Sequence, residues 1–219
     1  MEHLLPRFVE AARTAGATAS AVELEGAGMD LLRRWAEPHR GYHDVLHLAE
    51  VLDRLDDLSR DGEPVPVEAV LAAWFHDAVY TGAPGDDERA SAELATSELR
   101  ALGVPERVCD AVEALVLVTA GHRPAAGDPA AGALCDADLA VLASATERYE
   151  AYVAGVRREH AHVADDAFAA GRAAVLRDLL ARPTLFTTAA GRRRWEAPAR
   201  TNLATELRSL EGLGGLKGP

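Results

Sequence analysis

The amino-acid sequence predicts an all-α fold, a single-domain helical bundle. Apolar residues recur at steps of three and four along most of the 219 residues, strand-like alternation is missing, and turn-forming residues separate the apolar segments. Aromatic residues make up only 5% of the chain, and much of the apolar content is alanine, leucine and valine, which favours helices. The length suits one well-buried core, so we expect one domain over residues 1–219.

Three helices are expected before residue 60. Apolar periodicity predicts the first two at about 3–15 and 20–36. Glu37–Gly41 ends the second, because proline and glycine both oppose continuation of a helix. A third helix then runs from about Tyr42 to Ser59, with valine and leucine residues on one face.

The fourth helix leads into the most informative dipeptide of the chain. It follows the loop Asp61–Pro64, and Pro66 and Glu68 suit its first turn. At its end His76 and Asp77 stand side by side. A neutral imidazole and a carboxylate can together bind one divalent cation if further ligands come from elsewhere in the chain. Metal-assisted chemistry is therefore the first hypothesis.

Six further helices complete the predicted bundle. They are expected at about 87–102, 105–120, 134–145, 147–162, 165–181 and 191–211. Loops at 81–87 and 121–132 interrupt them, and a glycine-rich tail is expected from Gly212 onwards. Neither a solenoid-length repeat nor a low-complexity linker divides the chain.

Charge and cysteine content exclude several functional classes. The net charge is −12, so the overall field repels polyanions, and we expect neither a nucleic-acid polymer nor a membrane as partner. Small phosphorylated substrates remain compatible, because a metal reverses the local charge. Cys109 and Cys135 lack a thiolate-ligand spacing and should be reduced and buried. Without a signal-peptide pattern or a long apolar stretch, a soluble, cytoplasmic protein is expected, with homo-oligomerisation left open.

Candidate metal ligands lie on both sides of the histidine–aspartate pair. Upstream, His43 and His47 are four residues apart, so both imidazoles should share one face of the predicted third helix. Downstream, Asp136 and Asp138 lie in an otherwise apolar helix, where a buried carboxylate must be paired or bound to a metal. Spacing alone leaves both aspartates open as ligands.

Four motifs follow one another along the chain. They read Tyr42-His43-Asp44-Val45-Leu46-His47, Phe75-His76-Asp77-Ala78-Val79-Tyr80, Asp87-Glu88-Arg89-Ala90-Ser91 and Asp136-Ala137-Asp138-Leu139. In this order they resemble the HD-domain superfamily of metal-dependent phosphohydrolases, and most closely a group of small bacterial predicted HD hydrolases. The resemblance covers residues 40–145 or so, with the C-terminal helices expected to pack on that region. It implies His47, His76, Asp77 and Asp138 as ligands of a divalent transition metal (Mn, Fe, Co, Ni or Zn), with one ion expected and a second left open.

The resemblance also implies roles around the metal. Asp77, Glu88 and His122 are the candidate catalytic residues, while His43, Arg123, Arg200 and Asn202 are the candidates for substrate contact. Several of these have a second interpretation. Glu88 suits the first turn of a helix, His122 a solvated loop, and His43 a ligand or a hydrogen-bonding group behind the metal. Arg200 and Asn202 either close the pocket or dock the last helix.

The expected activity is hydrolysis of a small phosphorylated molecule, with nucleotides the favoured class, by a metal-activated water. One alternative is a di-iron oxygenase of the same fold, which would need more ligands from His43, His122 and Asp136. Another is a metal-containing ligand-binding protein without turnover. The chain has no glycine-rich phosphate loop, so ATP-driven transfer is not expected.

Overall fold

The computed structural model describes residues 3–83 and 85–215, and all regular structure in that part of the chain is helical. The helices are α1 Leu4–Thr14, α2 Ala21–Trp35, α3 Val45–Arg60, α4 Val67–Phe75, α5 Asp86–Ala101, α6 Glu106–Val118, α7 Pro129–Leu139, α8 Thr146–Glu159, α9 Asp165–Ala181 and α10 Ala189–Gly215. A 3₁₀ turn, Ala140–Ala143, follows α7. The predicted all-α class is confirmed.

Helix α4 lies at the centre of the bundle. It packs against α1, α3, α5, α6 and α7, and it carries no polar stripe because most of its surface meets other helices. Trp74 and Phe75 at its end meet Phe8 edge-on, and the Trp35 indole N–H donates to the Trp74 carbonyl over 3.0 Å. This central helix therefore delivers the residues that follow it, His76 and Asp77, into the interior.

Helix α3 begins later than predicted. Asp44 is its N-cap, because the Asp44 carboxylate accepts the backbone N–H groups of Leu46 at 2.8 Å and His47 at 3.2 Å. His43 consequently lies in the segment before the helix. The prediction that His43 and His47 share a helical face is wrong, since the capping aspartate between them starts the helix.

Two other boundaries also differ from the prediction. Helix α7 begins at Pro129, within the stretch predicted as a loop, because Asp128 accepts the Ala131 N–H at 3.0 Å and proline suits the first helical position. At the other end, the backbone stays helical through Gly215, where a tail was predicted from Gly212. The rest of that tail, residues 216–219, lies outside the described residues.

One apolar core joins the N-terminal and C-terminal helices. Its buried side chains run from Leu4 in α1 to Leu203 in α10. Cys109 and Cys135 are buried within the bundle and form no disulfide with each other, as predicted. None of the described helices combines the length and apolar character needed to cross a membrane.

Helix α8 approaches the segment before α3 unusually closely. A Cβ atom on Gly155 would lie 2.7 Å from the Gly41 carbonyl oxygen, and a Cβ on Gly41 would overlap the Gly155 carbonyl. Only glycine at both positions permits this backbone contact. It brings the end of α8, including Glu159, beneath residues 41–43.

Candidate metal centre

Four side chains from three parts of the bundle converge beside the end of α4. His47 Nε2 of α3 lies 3.1 Å from Asp138 Oδ1 of α7 and 3.3 Å from His76 Nε2. Asp77 Oδ2 lies 3.3 Å from His76 Nε2 and 3.8 Å from His47 Nε2. Atoms that coordinate one transition-metal ion at about 2.0–2.2 Å lie about 3.0–3.5 Å from one another. His47, His76 and Asp138 thus form a group that can hold a metal ion, with Asp77 beside it.

Both imidazoles are oriented by hydrogen-bond partners at Nδ1, the ring nitrogen that faces away from the cluster. His76 Nδ1 donates to the Ala73 carbonyl oxygen at 2.9 Å, which leaves its Nε2 as the ring nitrogen facing the cluster. His47 Nδ1 lies 2.9 Å from the buried hydroxyl of Tyr42. Hydrogen bonds at Nδ1 fix the tautomer and the ring plane of a histidine whose Nε2 binds a metal. The surroundings of both rings therefore suit metal binding.

The electrostatics of the cluster favour a bound cation. Burial lowers the pKa of His76, but the charges of Asp77 and Asp138 outweigh burial and raise that pKa well above its ordinary value. Burial raises the pKa of each aspartate, but His76 outweighs it and the pKa of both falls below the ordinary value. Two carboxylates and two imidazole nitrogens facing each other need protons or a metal ion between them.

Only one of the two aspartates of α7 reaches the cluster. Asp136 is fully buried and points to the start of α10, where Oδ1 accepts the Thr187 N–H at 2.7 Å and Oδ2 accepts the Thr188 N–H at 2.8 Å. Both threonine hydroxyls donate to the same carboxylate. A Cβ on Gly191 would overlap Asp136, so nothing larger fits there. The geometry favours Asp138 as the ligand, and Asp136 serves to anchor α10.

Arg40 fixes the backbone around the histidine–aspartate pair. Its guanidinium donates to the carbonyl oxygens of His43 and Asp77, both at 2.8 Å, and of Ala78 at 3.3 Å. The Arg40 side chain is fully buried. These contacts bind the turn after α4 to the segment before α3, so His43 and Asp77 are held together.

A cavity of about 360 Å³ opens over the cluster. Asp77, Asp138 and His122 lie in its wall, together with His43 and His160. His122 Nε2 donates to Asp138 Oδ2 at 2.7 Å, so the two oxygens of Asp138 face different partners. His122 is also the one non-glycine residue among those described that has a positive φ, 47°, a conformation that L-residues rarely adopt outside functional sites and helix ends.

The third motif supports the loop that follows the pair. Asp87 Oδ2 accepts the backbone N–H groups of Thr81 at 2.9 Å, Gly82 at 2.8 Å and Ala83 at 2.9 Å. These hydrogen bonds lower the pKa of Asp87 against the opposing effect of burial. Glu88 accepts the Gly85 N–H at the start of α5 and also lines the cavity. Its helix-start interpretation fits this contact, and a catalytic role stays a prediction.

Three predicted substrate contacts lie away from the cavity wall. Arg123 is exposed and pairs with Asp178 at 3.2 Å. Arg200 donates to the carbonyl oxygens of Leu180, Arg182 and Pro183, and the Asn202 amide donates to those of Leu142 and Ser144. Arg200 and Asn202 therefore dock the last helix, the second of the two roles left open by the sequence. A pocket role for these three side chains does not fit their contacts.

Two site residues escaped the sequence-based prediction. His160, which was interpreted as a surface residue, lines the cavity, whereas His162 is exposed as predicted. Glu159 is the second: its side chain is 2% exposed and lies 2.8 Å from His43 Nδ1. A glutamate at the end of an amphipathic helix gives no signal of its own, and only the glycines that admit it, Gly41 and Gly155, could have indicated a close approach.

Comparison of the chain with protein-family models, with curated proteins and with solved structures gives no match. The resemblance to HD-domain phosphohydrolases therefore stays a prediction.

Proposed function

We propose that the protein is a metal-dependent hydrolase of a small phosphorylated molecule. The observation that carries this proposal is the convergence of His47, His76, Asp77 and Asp138 beside a cavity whose wall includes the two aspartates. Two imidazoles and two carboxylates form a donor set suited to Mn, Fe, Co, Ni or Zn, and no thiolate takes part. Nucleotides are the first substrate class to test.

The four side chains would hold one divalent ion and leave its cavity side accessible to substrate. Such an ion polarises a phosphoryl oxygen and lowers the pKa of water. Asp77 and Asp138 both line the cavity, with side chains that are 16% and 12% exposed, whereas those of His47 and His76 are almost completely buried. Because Asp138 Oδ2 is already bonded to His122, Asp77 is the carboxylate next to the reacting groups. We assign to Asp77 the roles of ligand and of acceptor for the proton that water loses.

Two further histidines in the cavity wall suit a phosphorylated ligand. His43 and His160 line the cavity, and imidazole N–H groups donate hydrogen bonds to phosphate oxygens. Arg172 also lines it, but its guanidinium is paired with Glu206 at 2.7 Å and bonded to the Tyr152 hydroxyl. The volume of about 360 Å³ lies at the small end of ligand pockets, in keeping with a small substrate.

The di-iron alternative has few ligands available. Both oxygens of Asp136 are bonded to Thr187 and Thr188, which removes that carboxylate. Two histidines remain as candidates: His43, whose Nδ1 is bonded to Glu159, and His122, whose Nε2 already bonds Asp138. A count of metal ions per chain separates the two proposals, because one ion fits the hydrolase and two irons with an oxygen-dependent product fit the oxygenase.

The decisive variant for the hydrolase is Asp77→Ala. We expect phosphate release from nucleoside monophosphates, sugar phosphates and 4-nitrophenyl phosphate by the full chain reloaded with each metal in turn. Phosphate release should fall by about 10³-fold or more in Asp77→Ala, because the proton acceptor and one ligand are lost. The matched control is Asp110→Asn, an exposed aspartate of α6 that should leave the rate unchanged. Activity that survives in metal-replete Asp77→Ala protein contradicts the proposed mechanism.

The His122 side chain is expected to support activity, whereas the backbone conformation at this position is expected to lower the free energy of unfolding. His122→Gly and His122→Ala both remove the hydrogen bond that orients Asp138, and we expect metal affinity or activity to fall about 10- to 100-fold in each. Only glycine relieves the positive φ of 47°, so His122→Gly should be more stable to unfolding than His122→Ala by about 1 kcal/mol. Chemical denaturation of the two variants measures the difference, and equal stability would show that the backbone there is not strained.

A further inference from the structure

We propose that His43 and Glu159 form a proton-donating dyad of this site, in which His43 is a catalytic residue and Glu159 is the positioning residue behind it. The proposal rests on the proposed phosphohydrolase function and adds to it the group that protonates the leaving oxygen. Neither residue belongs to the metal-binding cluster. They contact each other directly, and His43 lines the cavity.

Glu159 is held in a pocket made of backbone N–H groups. Its Oε1 accepts the N–H of Gly41 at 2.8 Å, of Tyr42 at 2.7 Å and of His43 at 2.9 Å. The close glycine contact between α8 and this segment makes room for the carboxylate. With a side chain that is 2% exposed, Glu159 is a buried charge whose position is fixed by several partners.

The second oxygen of Glu159 faces His43. Oε2 lies 2.8 Å from His43 Nδ1 and accepts the Tyr80 hydroxyl at 3.0 Å. The His43 ring stacks on the Tyr80 ring with 4.4 Å between centroids. Because Nδ1 is occupied by the carboxylate, Nε2 is the ring nitrogen available to the cavity that His43 lines together with Asp77.

The carboxylate behind the ring suits His43 to donate a proton toward the cavity. The hydrogen bond to Glu159 orients the ring at Nδ1 and stabilises a positive charge on the imidazole. Contacts with His43 and with the backbone hold the pKa of Glu159 at about 2, against burial. Glu159 thus stays ionised behind an imidazole whose Nε2 can protonate a departing alkoxide.

Asp77 accepts a proton from water in the proposed step, and His43 donates one to the leaving group. A water oxygen forms a bond to phosphorus and gives one proton to Asp77, while the bond between phosphorus and the leaving oxygen breaks. The electron pair of that bond goes to the leaving oxygen, which takes the proton from His43 Nε2. Neutral His43 then takes up a proton from solvent, Asp77 releases its own, and the products are an alcohol and inorganic phosphate.

Leaving-group chemistry distinguishes this role from a structural one. 4-Nitrophenolate leaves without a proton, whereas an alkoxide does not. In Glu159→Gln and in His43→Gln we expect hydrolysis of an alkyl phosphate to fall by about 10²- to 10⁴-fold, and hydrolysis of 4-nitrophenyl phosphate to change less than about tenfold. The matched control is Glu150→Gln, an exposed glutamate on the same helix, which should change neither rate. Equal losses on both substrates in the two dyad variants overturn the proposal.

A spectroscopic measurement tests the dyad without turnover. In zinc-loaded protein labelled with ¹⁵N-histidine, both ring nitrogens of His43 should carry protons at neutral pH. In Glu159→Gln the amide replaces the carboxylate, and His43 should become neutral. If the wild-type protein hydrolyses no phosphate ester, the proposed function fails, but the His43 spectrum still decides whether the dyad exists. An unchanged His43 spectrum in Glu159→Gln, with normal zinc content, overturns the dyad even if hydrolysis is observed.

Discussion

Replacing each of the two aspartates of α7 by asparagine, in separate variants, should weaken metal binding in one variant and folding stability in the other. In Asp138→Asn the metal affinity is expected to fall by more than the roughly 10- to 100-fold that follows loss of a supporting group. Asp136→Asn should keep its metal but lose stability, because the amide keeps one acceptor oxygen and its new NH2 group opposes the N–H and hydroxyl donors of either Thr187 or Thr188. We expect a cost of about 3 kcal/mol, or a Tm lower by about 6–12 °C.

Thermal melts with and without zinc separate the two defects. Zinc at 100 times its Kd stabilises the wild type by about 2.7 kcal/mol, which corresponds to about 5–11 °C. The Asp136→Asn protein should start from a lower Tm and show the same increase. The Asp138→Asn protein should show almost none at that zinc concentration. A zinc-dependent increase in Asp138→Asn that is lost in Asp136→Asn would reverse our assignment of the ligand.

The sequence predicted the fold class well because periodicity and turn residues are local properties. All ten predicted helices exist in the described part of the chain, and the errors lie at boundaries where capping decided the outcome. Asp44 begins α3 after His43, and Asp128 with Pro129 begins α7 inside a predicted loop. In both places a hydrogen bond between a side chain and the backbone outweighed the apolar pattern.

The site could be predicted only as far as motifs identify its members. His47, His76 and Asp138 come together as expected. The choice between Asp136 and Asp138 could not be made by spacing, because residues two apart lie on different faces of a helix and the sequence does not say which face meets α3. That choice depends on where α10 docks, and Thr187 and Thr188 lie about 50 residues further along the chain.

Glu159 illustrates a different limit. Its partners are three backbone N–H groups and one imidazole more than 100 residues earlier in the chain, and the Tyr80 hydroxyl 79 residues earlier. Backbone groups carry no sequence pattern. Candidate ligands are therefore predictable from side-chain chemistry, whereas a distant supporting group such as Glu159 becomes visible only once the helices are packed.

Metal affinity should keep rising with pH well above neutrality. The pKa of His76 is raised well above 6.5 by Asp77 and Asp138 against the effect of burial, so metal-free protein holds a proton there that the metal must displace. A displaced proton makes zinc binding about tenfold tighter for each pH unit until the pH passes that raised pKa. A site of ordinary histidines would instead level off above a pH of about 6.5.

Competition with a chromophoric chelator at pH 6, 7 and 8 measures this slope. Calorimetry at pH 7 in two buffers of different ionisation enthalpy should report about one proton released for each zinc ion bound. Asp77→Asn tests the cause, since loss of that negative charge lowers the proton affinity of His76 and should flatten the slope between pH 7 and 8. His162→Gln, at an exposed histidine, is the matched control and should keep the wild-type slope. A Kd that is the same at pH 7 and pH 8 in the wild type would show that His76 is already neutral, and the electrostatic account of the cluster would then be wrong.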